Sequence, residues 1–189
     1  MTTDTKSLAF VLDGWNGYQT SLVKAIAPLT PGQLAYRAAP DFRSVGELAR
    51  HIALGRLTWF VRMDAPGSAE LAKQIPEWVG DRDGNRHVAE EEVVGTDRAD
   101  ELVKWLESSW SMVQSTLKEW TVDDLAKTYR HKFMGTVYEV SRQWTTFRML
   151  AHDIHHGGQL SILLGEQGIE AFELIGLGGH IVEPPVAVG

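Results

Sequence analysis

The chain has 189 residues, of which 43% are apolar, and it carries seven tryptophans and a formal net charge of −7. This composition supports one domain with a substantial core and excludes a disordered chain. The negative charge and the lack of a dense basic run disfavour nucleic-acid binding, and no apolar run approaches the roughly 20 residues of a membrane helix.

Cysteine is absent from the sequence, which excludes disulfides, a thiolate nucleophile and a cysteine-ligated metal. The first residues lack the basic and then apolar pattern of a signal peptide. We therefore expect a cytoplasmic protein, in which any thiol chemistry would need a thiol cosubstrate. No internal repeat or second domain is visible, so a single domain is predicted over residues 1–189.

Apolar residues at steps of three and four predict four long helices. The predicted helices cover residues 7–29, 45–63, 97–119 and 142–167. Ser44 and Glu47 form a capping-box pattern at the start of the second helix. Thr96 or Asp97 is expected to cap the third helix, and Ser141 the fourth.

Two connections carry signals of their own. The long connection 64–95 is expected to be functional or to hold a small element, with Trp78 pinning it to the core. Residues 128–140 are rich in β-formers around a glycine, which predicts a short hairpin. His87 and His131 lie in these two segments, and solvent exposure is the expectation for both.

Three histidines fall within five residues of the predicted last helix, at His152, His155 and His156. At about 100° per residue, His152 and His156 lie about 40° apart on one face. This spacing lets two imidazoles reach one metal ion. His155 lies about 60° from His152 on the other side, where it reaches the edge of such a site or turns to solvent. A third ligand has to come from elsewhere in the chain.

The last helix carries apolar residues on several sides, so we expect it to be largely buried. Buried imidazoles without partners are costly, and either metal coordination or hydrogen bonding removes that cost. A metal site and a purely structural histidine cluster both remain open at this point. Gly157 and Gly158 predict either a close approach to this helix or an opening for a substrate.

His51 stands in the middle of the second helix, at the edge of its apolar stripe. Taken alone it resembles a boundary histidine, although Gly55 leaves space beside it. Glu47 could orient His51 as a hydrogen-bond acceptor, but its capping role already explains it. Arg148 precedes His152 by one turn and could hold a carboxylate or form a surface salt bridge.

These features together resemble the DinB/YfiT-like superfamily of bacterial metal-dependent enzymes. The resemblance rests on the four-helix pattern, the histidine within residues 44–52, the hairpin before the last helix and the histidine-rich segment 152–160. It extends from about residue 8 to about residue 175 and is most specific in the last helix. It implies an all-α fold, a four-helix bundle with a short β-hairpin before the last helix.

The resemblance also implies a divalent metal ion, nickel or zinc, bound by His51, His152 and His156. His155 matches a position that is often histidine in the family but is not a ligand. Members include transferases that use low-molecular-weight thiols and a thiol-dependent isomerase, and homodimers are common.

We therefore expect a metal-dependent transferase using a low-molecular-weight thiol, or a hydrolase, acting on a small-molecule substrate. Three protein ligands leave a divalent ion with open positions, which is the catalytic pattern. The sequence shows no obvious general base beside such an ion. The alternative is a stress-related protein that binds a metal or another ligand without turnover.

Overall fold

The computed structural model describes residues 7–171, which include eight α-helices and four strands. The helices are α1 (Leu8–Val11), α2 (Asp13–Ile26), α3 (Pro31–Ala35), α4 (Val45–Arg62), α5 (Ser68–Ala72), α6 (Ala99–Glu119), α7 (Val122–Ala126) and α8 (Arg142–Glu166). The strands are β1 (Trp78–Gly80), β2 (Arg86–Val88), β3 (Thr128–Phe133) and β4 (Thr136–Ser141). The sequence predicts an irregular tail or a short docking segment over residues 169–189, and from residue 172 on this stretch lies outside the described residues.

Four long helices, α2, α4, α6 and α8, form a bundle with α4 packed against both α6 and α8. Their facing sides are apolar, and Leu22, Ile52, Phe60, Leu106 and Leu160 are fully buried between them. Burial of these faces, rather than intrinsic helix propensity, supplies most of the stability of such helices. The predicted all-α bundle is confirmed. In the described part of the chain, no helix is long and apolar enough to cross a membrane.

Two antiparallel hairpins are added to the bundle. The predicted hairpin before the last helix is confirmed as β3–β4, while the β1–β2 pair in the long connection was not predicted. The Asp83 carboxylate joins the hairpins by accepting the backbone N–H groups of Met134 and Gly135, at 2.7 and 2.8 Å. These hydrogen bonds therefore hold the two hairpins together.

Helix ends follow the predicted caps in α4 and α8. Ser44 and Glu47 form the reciprocal capping box, and the Ser141 hydroxyl accepts the Trp144 N–H. The cap expected for the third helix is wrong: α6 begins after Arg98, with no side-chain cap. Thr96 is instead packed against Gly46 at the start of α4.

Two further expectations about the helices are corrected. The first predicted helix is divided at Leu12 into α1 and α2. The last helix is not buried on all sides, because Phe147, Ile154 and Ile162 are exposed by 66%, 51% and 64%. One side of α8 faces the core, and the opposite side is open in the single chain.

Candidate metal centre

The three histidines singled out in the sequence meet between α4 and α8. His51 Nε2 lies 3.1 Å from His152 Nε2, and one ring nitrogen from each of His51, His152 and His156 lies within 4.8 Å of the others. His156 is buried and the other two are half-buried. This three-histidine cluster could hold a metal ion.

The cluster forms because α4 and α8 run antiparallel, so that residues further along α4 lie beside residues earlier in α8. His51 meets His152, and two turns further on the ring of Trp59 lies 6.3 Å from that of Trp144. A Cβ on Gly55 would lie 3.1 Å from His152 Cε1. The missing side chain at Gly55 therefore leaves room for the ring of His152 on the neighbouring helix, rather than for His51 on the same helix.

Each imidazole has an oxygen acceptor near Nδ1. Glu90 Oε1 lies 2.8 Å from His51 Nδ1, Gln159 Oε1 lies 2.7 Å from His156 Nδ1, and Asp153 Oδ1 lies 3.5 Å from His152 Nδ1. An acceptor at Nδ1 favours the proton there and leaves Nε2 as a lone pair, which is the tautomer that ligates metals.

The separation of the two Nε2 atoms fits a shared cation. Two lone pairs facing each other at 3.1 Å repel unless a proton or metal ion lies beside both. Two nitrogens at about 2.0–2.1 Å from one tetrahedral ion are roughly 3.4 Å apart. The separation of the His51 and His152 nitrogens is therefore close to that in a metal site, and the three imidazoles are donors of a suitable type.

The acceptor for His51 is Glu90; of the two roles considered for Glu47, the structure confirms the capping role and not the contact with His51. Glu47 is occupied by the α4 cap and by Arg37 at 3.0 Å. Burial acts to raise the pKa of Glu90, but the hydrogen bond and charge of His51 lower it below its ordinary value. Glu90 is missed by sequence reasoning because it lies 39 residues from His51. The unusual length of its connection is the only signal.

Burial keeps the His156 imidazole uncharged. Desolvation, with the nearby His152, His51 and His155 imidazoles adding to it, lowers the pKa of His156 to about 4. Its imidazole is therefore neutral near pH 7, the form that binds a metal. His155 is exposed and touches His156 only edge to face, with ring centroids 4.9 Å apart.

A buried polar network lies behind His152. The Asp153 carboxylate accepts Arg56 Nε–H and Trp15 Nε1–H, both at 2.7 Å, and Asp153 and Arg56 are fully buried. Arg56 also donates to Gln19 Oε1 at 2.6 Å. The network joins α2, α4 and α8 and was not predicted. An acidic residue within a helix expected to be buried is the signal that would have found it.

Gly157 allows another residue to pack closely against α8, which was one of the two predictions made for Gly157 and Gly158. The Tyr18 hydroxyl group lies where a Cβ at Gly157 would stand. Nothing lies within 4 Å of the corresponding position at Gly158.

A cavity of about 920 Å³ opens from the cluster, with His51 and His152 in its lining. The residues of the bundle and hairpins that line the rest of it include Trp59, Arg62, His87, His131, Trp144 and Arg148. His87 and His131 are half-buried, so their expected exposure is wrong. The His131 ring lies 5.1 Å from that of Trp59. The salt bridge considered for Arg148 is absent among the described residues.

The fold and the site define a class of protein: a four-helix bundle with a three-histidine cluster between two antiparallel helices. A family model described as the DinB superfamily matches residues 18–160, and the chain belongs to this superfamily. The crystal structure of a DinB-like protein from Bacillus cereus ATCC 10987 shares the fold at a TM-score of 0.64 and 18% identity, covering 88% of this chain and 96% of that chain. No curated protein gives a significant match.

Proposed function

We propose that this protein is a metal-dependent enzyme in which His51, His152 and His156 hold a divalent ion, nickel or zinc. The observation that carries the proposal is the place of the cluster in a cavity, since His51 and His152 belong to its lining. Three protein ligands are the catalytic pattern, whereas structural zinc sites are closed by four. A bound divalent ion supplies Lewis acidity toward water, a thiol or a carbonyl oxygen.

The reaction that we propose is transfer of a low-molecular-weight thiol to an electrophilic small molecule. Because the chain has no cysteine, the sulfur comes from a cosubstrate. The thiol releases its S–H proton to solvent, its sulfur forms an S–C bond with the acceptor carbon, and the leaving group departs with the electron pair of its broken bond to that carbon. Hydrolysis, with water in place of the thiol, is the second reaction of the same type. Glu90 and Gln159 hold the imidazoles, and Trp59 and Trp144 offer aromatic surface to a substrate in the cavity.

An activity assay tests this proposal. The protein loaded with zinc or nickel is mixed with cysteine or glutathione and an activated aryl chloride, and thioether formation is followed by absorbance. We expect a rate above the uncatalysed one, which is lost on chelation and in His152→Ala. His155→Ala is the matched control and should keep the activity. A protein that binds metal but accelerates neither this transfer nor ester hydrolysis would support the non-catalytic alternative.

We further propose that the protein forms a homodimer through the open side of α8. Phe147, Ile154 and Ile162 share this side with the exposed small residues Ala151 and Gly158. Apolar patches of this kind often mark an interface. Light scattering should give twice the chain mass of 21.0 kDa, and Ile154→Ser should lower it toward the monomer value. A monomeric parent protein would contradict this proposal.

A further inference from the structure

Two guanidinium groups in the cavity lack an acidic partner. Arg148 lies one turn before His152 on α8, and Arg62 is the last residue of α4; both line the cavity. Neither has a carboxylate oxygen within 4.0 Å among the residues that the structure describes. Arg62 donates only to the Arg86 carbonyl oxygen, and no hydrogen bond is found for Arg148 in residues 7–171.

Two indole rings hold these guanidinium groups in place. The central carbon of Arg148 lies 5.0 Å from the Trp59 ring centroid and 5.4 Å from that of Trp144. The central carbon of Arg62 lies 4.4 Å from the Trp59 ring. Stacking on aromatic faces engages the plane of a guanidinium and leaves its N–H edge available for a carboxylate.

The carboxylates that line the cavity do not form ion pairs with Arg62 or Arg148. Asp81 is occupied by Asn85, through the amide side chain and the backbone N–H. Glu90 is bound to His51. Glu139 is exposed and lies beyond ion-pair distance of both arginines. The wall around Trp59 therefore carries two arginines, the half-buried Arg62 and the exposed Arg148, that form no ion pair among the described residues.

The two antiparallel helices fix where these charges lie relative to the histidines. The lining residues of α4 run from His51 through Gly55 and Trp59 to Arg62, three turns that span about 16 Å. On α8, Arg148 is one turn from His152, about 6 Å along the axis. A molecule whose reactive end lies at the histidines thus extends along a wall where both guanidinium groups lie against the Trp59 ring.

We propose that Arg148, together with Arg62, forms a carboxylate-binding subsite, and that the substrate is a small carboxylate with an aromatic or apolar segment. This inference rests on the proposed function, because it assigns the outer part of the same cavity. Arginine binds a carboxylate through two parallel N–H···O bonds, which gives orientation as well as affinity.

Electrostatics favours an anion at this place. Burial lowers the pKa of Arg62, Tyr129 and Asp81 act to raise it, and the charge of Arg148 acts in the same direction as burial. A carboxylate bound at these arginines would offset the repulsion between their charges. The carboxylate could belong to the thiol cosubstrate or to the electrophilic acceptor, and the two sources are distinguished below.

The test is calorimetric titration of the zinc-loaded and the metal-free protein with 3-phenylpropanoate and with the neutral 3-phenylpropanamide. We expect the carboxylate to bind about tenfold more tightly than the amide, since hydrogen bonds to charged groups are the stronger ones. Arg148→Gln should remove this difference, and Arg148→Lys should restore part of it. Equal binding of the two probes, or an unchanged difference in Arg148→Gln, would overturn the proposal.

The matched control is Arg142→Gln. Arg142 lies on the same helix and stacks on Trp120 at 4.3 Å, but it does not line the cavity. We expect this variant to bind both probes like the parent protein. An equal loss in both variants would attribute the effect to the general charge of α8 and would overturn the assignment to Arg148.

Two further readouts separate this inference from the proposed function. Arg148→Gln should bind zinc as the parent does; a parent that binds no zinc but still prefers the carboxylate would sink the metalloenzyme and leave the subsite. Titration with 3-mercaptopropanoate identifies the source. If Arg148→Gln weakens the binding of 3-mercaptopropanoate, the carboxylate belongs to the thiol cosubstrate. If it weakens only the binding of 3-phenylpropanoate, the carboxylate belongs to the acceptor.

Discussion

Each imidazole of the cluster uses its two nitrogens differently. Nδ1 faces an oxygen from Glu90, Asp153 or Gln159, and this leaves Nε2 free. The closest of the carboxylate contacts is the one from Glu90, at 2.8 Å. Such outer partners set the tautomer and the basicity of the ligand, so Glu90 should matter to metal binding although it is not itself a ligand.

Glu90→Gln should therefore weaken metal affinity by about 10–100-fold, the usual effect of losing an outer-shell carboxylate. Competition with a chromophoric chelator measures it. Glu91→Gln is the control, because Glu91 is the next residue but is 75% exposed and pairs with Arg50 instead. Equal affinities for Glu90→Gln and Glu91→Gln would show that the contact with His51 is not used.

Whether a site residue could be predicted depended on how close in the sequence it lies to the residues that it contacts. The spacing of His152 and His156 in one helix predicts their shared face, and the structure confirms that they meet. His51 came only with the family resemblance, because nothing in its own helix distinguishes it from a boundary residue. Glu90 was beyond reach, since its contact joins α4 to a short turn in an irregular connection.

The antiparallel pair α4 and α8 is the element that assembles the site, and a buried ion pair fixes it. Arg56 and Asp153 are both fully buried and lie 2.7 Å apart. Removing one partner of such a pair leaves an uncompensated charge in the core. Because Asp153 also adjoins His152, the pair couples helix packing to the cluster.

Asp153→Asn should lower the free energy of unfolding by about 3–5 kcal/mol, because it leaves the buried Arg56 charge without a partner of opposite charge. Adding Arg56→Met should recover part of the loss. Urea denaturation followed by circular dichroism measures both variants. As control, Glu70→Gln removes an exposed pair with Lys73 and should cost much less of the unfolding free energy. A similar small cost for Asp153→Asn would contradict the assigned role.

The long helices and the β3–β4 hairpin were predicted to within a few residues, whereas the β1–β2 pair was not. The bounds of α4 and α8 agree closely because caps and apolar stripes are encoded locally. Strands β1 and β2 have three residues each, too few for an alternating pattern to be seen. The exposed side of α8 was mistaken for core because apolar residues on an open face have the same periodicity.

At the scale of the whole molecule, the pH dependence of stability follows from the cluster. The pKa of His156 is about 4 in the folded chain against 6.5 ordinarily, so the unfolded chain takes up this proton first as the pH falls. Protons therefore favour unfolding between about pH 6.5 and pH 4. Glu90, with its lowered pKa, adds a loss in the same direction at the acid end.

The metal-free protein should lose stability steadily over this range, and thermal unfolding at several pH values measures it. His156→Asn should flatten the dependence, because the residue that takes up the proton is gone. His155→Asn should leave it unchanged, since His155 is exposed. A parallel pH dependence in the parent protein and His156→Asn would contradict the account.

The central claim is that the three histidines form a metal site, and metal content tests it most directly. The untagged protein is purified beside the double variant His51→Ala, His152→Ala and the control His155→Ala, and each is analysed by elemental mass spectrometry. We predict close to one divalent ion per chain in the parent and control proteins, and none in the double variant. A parent protein that takes up no ion after incubation with zinc or nickel would contradict the account.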